Sequence, residues 1–287
     1  MSLQIHFTKM HGLGNDFIIL DGVSQFIPIH RKIIRQIAHR RFGIGCDQVL
    51  VIEAPTQPEF DFLYRIFNAD GREVSQCGNG ARCVARYLKE SGLLLKSEVL
   101  LETLSRPLRA FWDPYDQITV DLGIPLLEPY EVPIVANRTY PHRYELHLLH
   151  EPKTVYALSL GNPHCIIPTM DIKQAPVEKI GRHLQRHPAF PEGVNVGFCE
   201  TLARNHIKLR VFERGCGETY ACGSGAAAAV VSGILNKELS EEVRVDLASG
   251  SLFVRWQGIG TPVLLSGPTS LTYKGEFAVC KTPPHTT

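Results

Sequence analysis

Two cysteines carry the chemistry most directly legible in this chain. Cys77 lies in FNADGREVSQCGNGA (67–81) and Cys222 in FERGCGETYACGSGA (212–226). The two segments align without gaps at a spacing of 145 residues, matching at Phe67/Phe212, Glu73/Glu218, Cys77/Cys222, Gly78/Gly223, Gly80/Gly225 and Ala81/Ala226. In both, Cys-Gly-x-Gly-Ala opens a helical pattern. Glycine after the cysteine permits a tight turn, and the amides beyond it are unpaired helix N-terminal donors. Such a terminus attracts a carboxylate and lowers a nearby thiol from its usual pKa of about 8.5. One copy is a hint of a reactive thiol. Two copies, one per half, predict two sulfurs on facing surfaces with a small substrate between them. Two-base inversion at a carbon requires that layout: one thiolate removes a proton from one face, the opposing thiol delivers one to the other, and the roles exchange in reverse.

Other readings of the cysteines compete with this one. Cys77/Cys83 and Cys216/Cys222 both show C-x5-C spacing, looser than structural zinc pairs, and the two are not repeat-equivalent because Cys83 aligns with Ala228 and Cys216 with Gly71. A thiol redox module calls for Cys-x-x-Cys, which the chain lacks. Cys46, Cys165, Cys199 and Cys280 read as packing, the commoner fate of a free cysteine.

The elements that must position the pair repeat as well. Gly14-Asn15 matches Gly161-Asn162, and Gln48 falls opposite Asn195, both at a spacing of 147. Strand patterns at 16–20, 48–53, 60–67 and 118–122 are answered by others at 155–160, 207–212, 243–247 and 251–256. Helical patterns at 31–41 and 177–187 lie about one repeat apart, and two further helices come after the cysteine motifs. The expected fold is α+β. Two pseudo-symmetric lobes arise by internal duplication, each a largely antiparallel sheet wrapped around a central helix, with the active site in the cleft between lobes. The N-terminal lobe, 1–122 plus 268–287, carries Cys77, and the C-terminal lobe, 123–267, carries Cys222.

Composition narrows the function classes. The 287 residues are 44% hydrophobic and 21% charged, an ordinary globular mixture, and 30 Lys plus Arg against 29 Asp plus Glu leave a net charge of +1. That balance carries no footprint for nucleic acid or an anionic membrane. No apolar run reaches the roughly 18 residues of a spanning helix. MSLQIHFTKM has no basic region followed by an apolar stretch, so a cytoplasmic protein with reduced thiols is expected.

In chain order, KMHGLGNDF (9–17), GIGCDQ (43–48), FNADGREVSQCGNGARC (67–83), GNPH (161–164), EGVNVGF (192–198) and ERGCGETYACGSGAAAA (213–229) closely resemble the diaminopimelate epimerase family. The resemblance implies interconversion of LL- and meso-2,6-diaminopimelate in lysine and peptidoglycan-precursor synthesis, without pyridoxal phosphate or metal. It implies a small-molecule substrate, no nucleic-acid or membrane partner, and a homodimer. It puts Cys222 as proton acceptor and Cys77 as proton donor in the LL-to-meso direction, with His164 and Glu213 tuning the thiols. Substrate-binding positions carry over to Asn15, Gln48, Asn68, Gly78, Asn79, Asn162, Asn195, Glu213, Arg214, Gly223 and Ser224.

The side chains suit a substrate with an ammonium and a carboxylate at each end. Gly78-Asn79 and Gly223-Ser224 can offer amides to the reacting carboxylate, and Arg214 can fork onto the remote one. Asn15, Asn68, Asn162, Asn195 and Glu213 offer acceptors to ammonium groups. A proline or hydroxyproline racemase would share the architecture, but a cyclic imino acid has no remote charged end for Glu213 and Arg214 to hold. Two departures stand out: Cys216 occupies the small position inside ERGxGET, and TLSRPLRAFWDP (103–114) lacks the glycine expected in its turn.

Overall fold

A computed structural model describes residues 3–74, 77–112, 117–136, 138–140, 142–149 and 151–279, so Cys280 lies outside the described residues. The chain divides into two compact units, Met1–Val120 with Pro268–Thr287, and Asp121–Gly267.

In the first unit the order is β1 (Leu3–Gly12), β2 (Asn15–Asp21), α1 (Arg31–Ala38), β3 (Gln48–Glu53), β4 (Phe62–Asn68), β5 (Glu73–Val74), α2 (Gly78–Glu90), β6 (Glu98–Glu102), β7 (Leu108–Trp112) and β8 (Ile118–Asp121). Most neighbours pair antiparallel, but β2–β3 and β4–β6 are parallel. Parallel neighbours need a crossover, and each of these crossovers contains a helix, α1 in one and α2 in the other. The central strand β3 reads QVLVIE because both of its faces are covered. Val49 and Val51 join the cluster under α1 together with Ile33, Ile34 and Ile37. Leu50 faces the other way, where it would touch any side chain placed at Gly80 of α2.

The second unit runs β9 (Arg138–Tyr140), β10 (Arg143–Leu148), β11 (Glu151–Ser159), β12 (Pro163–Pro168), α3 (Val177–Leu184), β13 (Asn195–Ala203), β14 (His206–Glu213), β15 (Gly217–Thr219), α4 (Gly223–Leu235), β16 (Glu242–Leu247), β17 (Gly250–Arg255) and β18 (Leu264–Gly267). Its pairing pattern is that of the first unit. β12–β13 and β14–β16 are parallel across α3 and α4, while β11–β12, β13–β14, β14–β15, β16–β17 and β17–β18 are antiparallel. The duplication therefore extends from motif to topology. The C-terminal strand Ser270–Val279 pairs antiparallel with β1, as β10 pairs with β11.

The central helices differ in composition. In α4, GSGAAAAVVSGIL, almost every side chain is small, and ten of its residues are buried. In α2, GNGARCVARYLKE, a fully buried Arg82 interrupts the apolar face made by Ala81, Val84, Ala85 and Leu88.

Helices α1 and α3 end three residues earlier than their patterns predict: α1 stops at a histidine, and α3 tightens into i→i+3 bonds from Arg186 and His187 ahead of Pro188. The backbone leaves the helix at His39, whose Nδ1 accepts from the amides of Arg41 and Phe42 at 3.1 Å. His187 Nδ1 likewise accepts from the Ala189 amide at 3.1 Å. A side-chain acceptor offers these amides an alternative to the helix ladder. In the 103–107 turn, Thr103 replaces the missing glycine: its Oγ1 donates to the Arg106 carbonyl at 2.6 Å and accepts from the amides of Ser105 and Arg106.

Candidate active site

In the first unit, Asn15 is delivered by a two-residue hairpin. Gly12 faces Asn15 across the β1–β2 ladder, and the linking residues Leu13 and Gly14 have φ of 54° and 84°. Such left-handed turns match strand twist and ordinarily favour Asn-Gly or Gly-Gly, so a leucine at the first position stores on the order of 1 kcal/mol of backbone strain. Charged side chains brace the strand beyond the turn. Arg40 forks onto both carboxylate oxygens of Asp16 at 2.8 and 3.0 Å and reaches Asp47 Oδ1 at 2.6 Å. Lys9, 8% exposed, places Nζ 2.6 Å from Asp16 Oδ2 and also donates to the Gly45 carbonyl. Burial raises the Asp16 carboxyl, but Arg40 and Lys9 outweigh it and hold the group far below the usual carboxylate range.

This frame orients the Asn15 amide. Its Nδ2 donates to Asp47 Oδ2 at 3.0 Å, which turns Oδ1 toward Asn79 Nδ2 at 3.4 Å and Cys77 Sγ at 3.9 Å. Cys77 is the N-cap of α2 and is half-buried, and its sulfur accepts from the Gly80 amide at 3.3 Å. Gln48 Nε2 donates to Asn68 Oδ1 at 2.9 Å, where β3 and β4 pair these two residues directly. Asn15, Gln48, Asn68, Gly78, Asn79 and Cys77 all lie at the end of this sheet or on the first turn of α2. Neither Gly78 nor Gly223 adopts a positive φ, so the expected tight turn after each cysteine is absent. Instead the next glycine matters: a Cβ on Gly80 would lie 2.5 Å from the Tyr64 hydroxyl, and one on Gly225 would lie 3.3 Å from Cys222 Sγ.

In the second unit Cys222 caps α4 and is 5% exposed. Its Sγ lies 3.7 Å from Ser224 Oγ, which receives Asn162 Nδ2 at 3.5 Å, and Asn162 Oδ1 is 3.1 Å from His164 Nε2. Burial pushes the Cys222 thiol well above its usual value. The Glu213 carboxylate, to which the thiol hydrogen-bonds, adds to the rise, and the Gly225 amide and Ser224 hydroxyl oppose it. Glu213 ends β14 and accepts Thr219 Oγ1 at 2.5 Å.

His164 is fully buried, and burial, then the Arg214 charge, push it down to about 3. It is therefore a neutral ring at physiological pH, linked to Cys222 through Asn162 and Ser224 rather than a cation beside the sulfur. Asn195, paired with His164 across β12–β13, accepts the Arg214 amide at 2.8 Å. Arg214 is exposed and spends Nη1 on the Glu192 carbonyl at 2.9 Å, leaving the rest of its fork toward solvent.

Within each unit the sequence-expected residues come together. Lys9, Asp16, Arg40, Asp47, Arg82 and Thr219 join them; all but Arg40 lie inside the motif segments, but the sequence reading gave none of them a role. Asp16 and Asp47 flank Asn15 and Gln48 in the chain, a signal available in GNDF and GCDQ. Cys46, Cys83 and Cys199 are buried, and burial pushes each thiol up to about 12. Cys165 is buried with its thiol raised in the same way, whereas Cys216 is exposed.

A diaminopimelate epimerase family model matches residues 7–127 and 156–272. A diaminopimelate epimerase of Teredinibacter turnerae is 46% identical over 274 residues, covering 96% of this chain and 99% of the relative. Among solved structures, a PhzF-family phenazine biosynthesis protein of Bacillus anthracis has a TM-score of 0.70 at 16% identity, with 96% of this chain and 100% of that one covered. A hydroxyproline epimerase of Agrobacterium vitis, with bound trans-4-hydroxy-L-proline, has a TM-score of 0.66 at 14% identity, with coverage of 97% and 94%. The last two likenesses establish the two-lobe epimerase fold, and the first two establish kinship: this chain belongs to the diaminopimelate epimerase family.

Proposed function

We propose that this protein interconverts LL- and meso-2,6-diaminopimelate by proton transfer at one α-carbon, with Cys77 and Cys222 serving opposite faces of that carbon. The observation that carries the proposal is the pair of equivalent helix N-caps, each holding a sulfur beside amide donors. Those amides, from Gly78-Asn79 and Gly223-Ser224, bind the carboxylate next to the reacting carbon and stabilise negative charge as the proton leaves. In the LL-to-meso direction Cys222 accepts and Cys77 donates. Proton abstraction and proton delivery are both covered by side chains of the chain itself.

The state of Cys222 gives this reaction a starting condition. Its thiol is protonated in the free protein because burial and Glu213 disfavour the anion. A substrate ammonium set against Glu213 cancels the second of these influences, so Cys222 gives up its proton to solvent as the substrate binds. His164 holds Asn162, and through it Ser224, in register beneath the sulfur. Asn15, Gln48, Asn68, Asn162 and Asn195 supply acceptors or fix their neighbours, and Arg214 turns its free donors to the distal carboxylate. Cytoplasmic lysine and peptidoglycan-precursor synthesis and a homodimeric state complete the proposal. Among the described residues, no helix is long and apolar enough to cross a membrane.

The test is α-hydrogen exchange in heavy water, followed by mass spectrometry with LL-diaminopimelate and, separately, L-proline. The expected outcome is deuterium in diaminopimelate alone, with inversion lost in Cys77→Ser and in Cys222→Ser. Label in proline but not diaminopimelate, or fully active serine variants, would overturn the proposal.

A further inference from the structure

Arg82 is a buried cation without an acidic partner. It is fully buried on α2, and Nη2 donates to Asn79 Oδ1 at 2.9 Å, while Nε and Nη1 have no hydrogen-bond partner. Among the described residues no carboxylate lies within ion-pair range of it. Burying a guanidinium in this way disfavours its charged form, and a packing role would be met by a methionine of similar volume. An unbalanced cation inside a sheet-wrapped helix is the kind of local cost that persists where function requires it.

Its surroundings point to one counter-charge. From α2 come Cys77 and Cys83, from β4 comes Tyr64, and beyond Asn15 lies Asp47, which is exposed and already engaged by Arg40. Cys83 and Tyr64 are buried and held neutral, each raised chiefly by burial. Cys77 alone is both partly exposed and supplied with an anion-stabilising donor, the Gly80 amide. A continuous bonded path joins the two groups, from Arg82 Nη2 to Asn79 Oδ1, from Asn79 Nδ2 to Asn15 Oδ1, and from there to Cys77 Sγ. The duplicated unit lacks the first two members of this path: Arg82 aligns with Ala227 and Asn79 with Ser224.

We infer that Arg82 is a positioning residue whose charge favours the thiolate of Cys77, against the pull of the Asn15 Oδ1 acceptor toward the thiol. This rests on the catalytic reading of Cys77 but can fail independently of it. The free enzyme then carries its ionised sulfur on Cys77 and its protonated sulfur on Cys222, the form that begins the meso-to-LL direction.

The experiment is iodoacetamide alkylation of the full-length protein across pH, resolved to Cys77 by peptide mass spectrometry, in wild type, Arg82→Met and Arg82→Lys. Arg82→Met is expected to raise the Cys77 midpoint by about 0.5–1 pH unit, and to move the acidic limb of kcat/KM by the same amount with Tm held or raised. Arg82→Lys, which keeps the charge, is expected to recover most of the shift. A purely structural arginine would lower Tm and leave the midpoint alone. A Cys77 midpoint in Arg82→Met within about 0.2 unit of wild type, or in Arg82→Gln if the methionine variant does not fold, overturns the inference. Alkylation needs no turnover, so that failure is distinct from an active Cys77→Ser, which would instead overturn the catalytic reading.

Discussion

The two cysteine-bearing units share strand order, crossover helices and the position of the sulfur, yet give that sulfur opposite electrostatic surroundings. Around Cys77 the repeat places Asn68 and Arg82; at the equivalent positions around Cys222 it places Glu213 and Ala227. A neutral amide and a buried cation on one side stand against a carboxylate and a methyl group on the other. Exposure differs in the same sense, since Cys77 is half-buried and Cys222 almost wholly buried. Duplication supplied a symmetric pair of helix N-caps, and divergence at two positions made the pair unequal. A two-base inversion needs that inequality, because one sulfur must hold a proton while the other lacks one.

The largest effect expected from disturbing this contrast is at Glu213. Replacing it by glutamine keeps an acceptor for Thr219 Oγ1 but removes the negative charge beside Cys222. Its Cys222 thiol should titrate at lower pH, as site-resolved alkylation would report, while turnover falls about 10²–10³-fold with loss of the charged ammonium contact. A lower midpoint with unchanged turnover would show that the carboxylate tunes the sulfur without serving the substrate. An unmoved midpoint would remove Glu213 from the contrast altogether.

A second disturbance separates the units by pH. His164 aligns with Phe17 of the first unit, so a buried imidazole occurs on one side only. Its folded-state pKa of about 3 lies below the unfolded value of about 6.5. The unfolded chain therefore binds the extra proton first, and the stability from this group is complete above about pH 6.5 and lost as pH falls toward 3. At pH 5 the loss is about 2 kcal/mol. In the first unit Asp16 has the opposite chemistry, a carboxylate held low by Arg40 and Lys9 despite its burial, and its contribution fades only below about pH 4. Hydrogen exchange at pH 5 should show added opening in β12 and β13 but not in β1 and β2, and His164→Gln should abolish the difference. Equal opening in both units would contradict the assignment.

What the sequence discloses and what it conceals divide along physical lines. The cysteine motifs are legible because their glycines are demanded by close packing at Gly80 and Gly225, and such constraints leave a fixed spacing. The α+β class is legible in the alternating strand and helix patterns. Strand β1 is hidden because Thr8 and Lys9, both buried, break its apolar pattern for the sake of the ion cluster. Strands β12 and β13 are hidden because Pro163, His164 and Asn195 look like loop residues until neighbouring strands satisfy them. The parallel pairs are concealed as well, since short connections point to antiparallel pairing and these pairs form across long ones. Arg82 gives no sign of burial, because arginine in a helix ordinarily points to solvent.

The smallest expected effect concerns the frame rather than the sulfurs. Asp47 is partly exposed, and so is Arg40, its partner, so their ion pair contributes at most about 1 kcal/mol to stability. The bond that matters is the one from Asn15 Nδ2 to Asp47 Oδ2, because it decides which end of the Asn15 amide faces Cys77. An asparagine at position 47 can present its own NH2 to Asn15, which then accepts with Oδ1 and turns Nδ2 toward the sulfur. A donor there favours the thiolate, whereas the native oxygen favours the thiol. Asp47→Asn should therefore lower the Cys77 alkylation midpoint slightly and reduce kcat/KM several-fold, with Tm nearly unchanged. The second unit offers the control: Ser224→Ala removes the hydroxyl beside Cys222 without touching Asn15, and it should move only the Cys222 midpoint. If Asp47→Asn shifts both cysteines, or neither, the amide of Asn15 is not what communicates the ion cluster to the sulfur, and the two frames are less independent than their topology suggests.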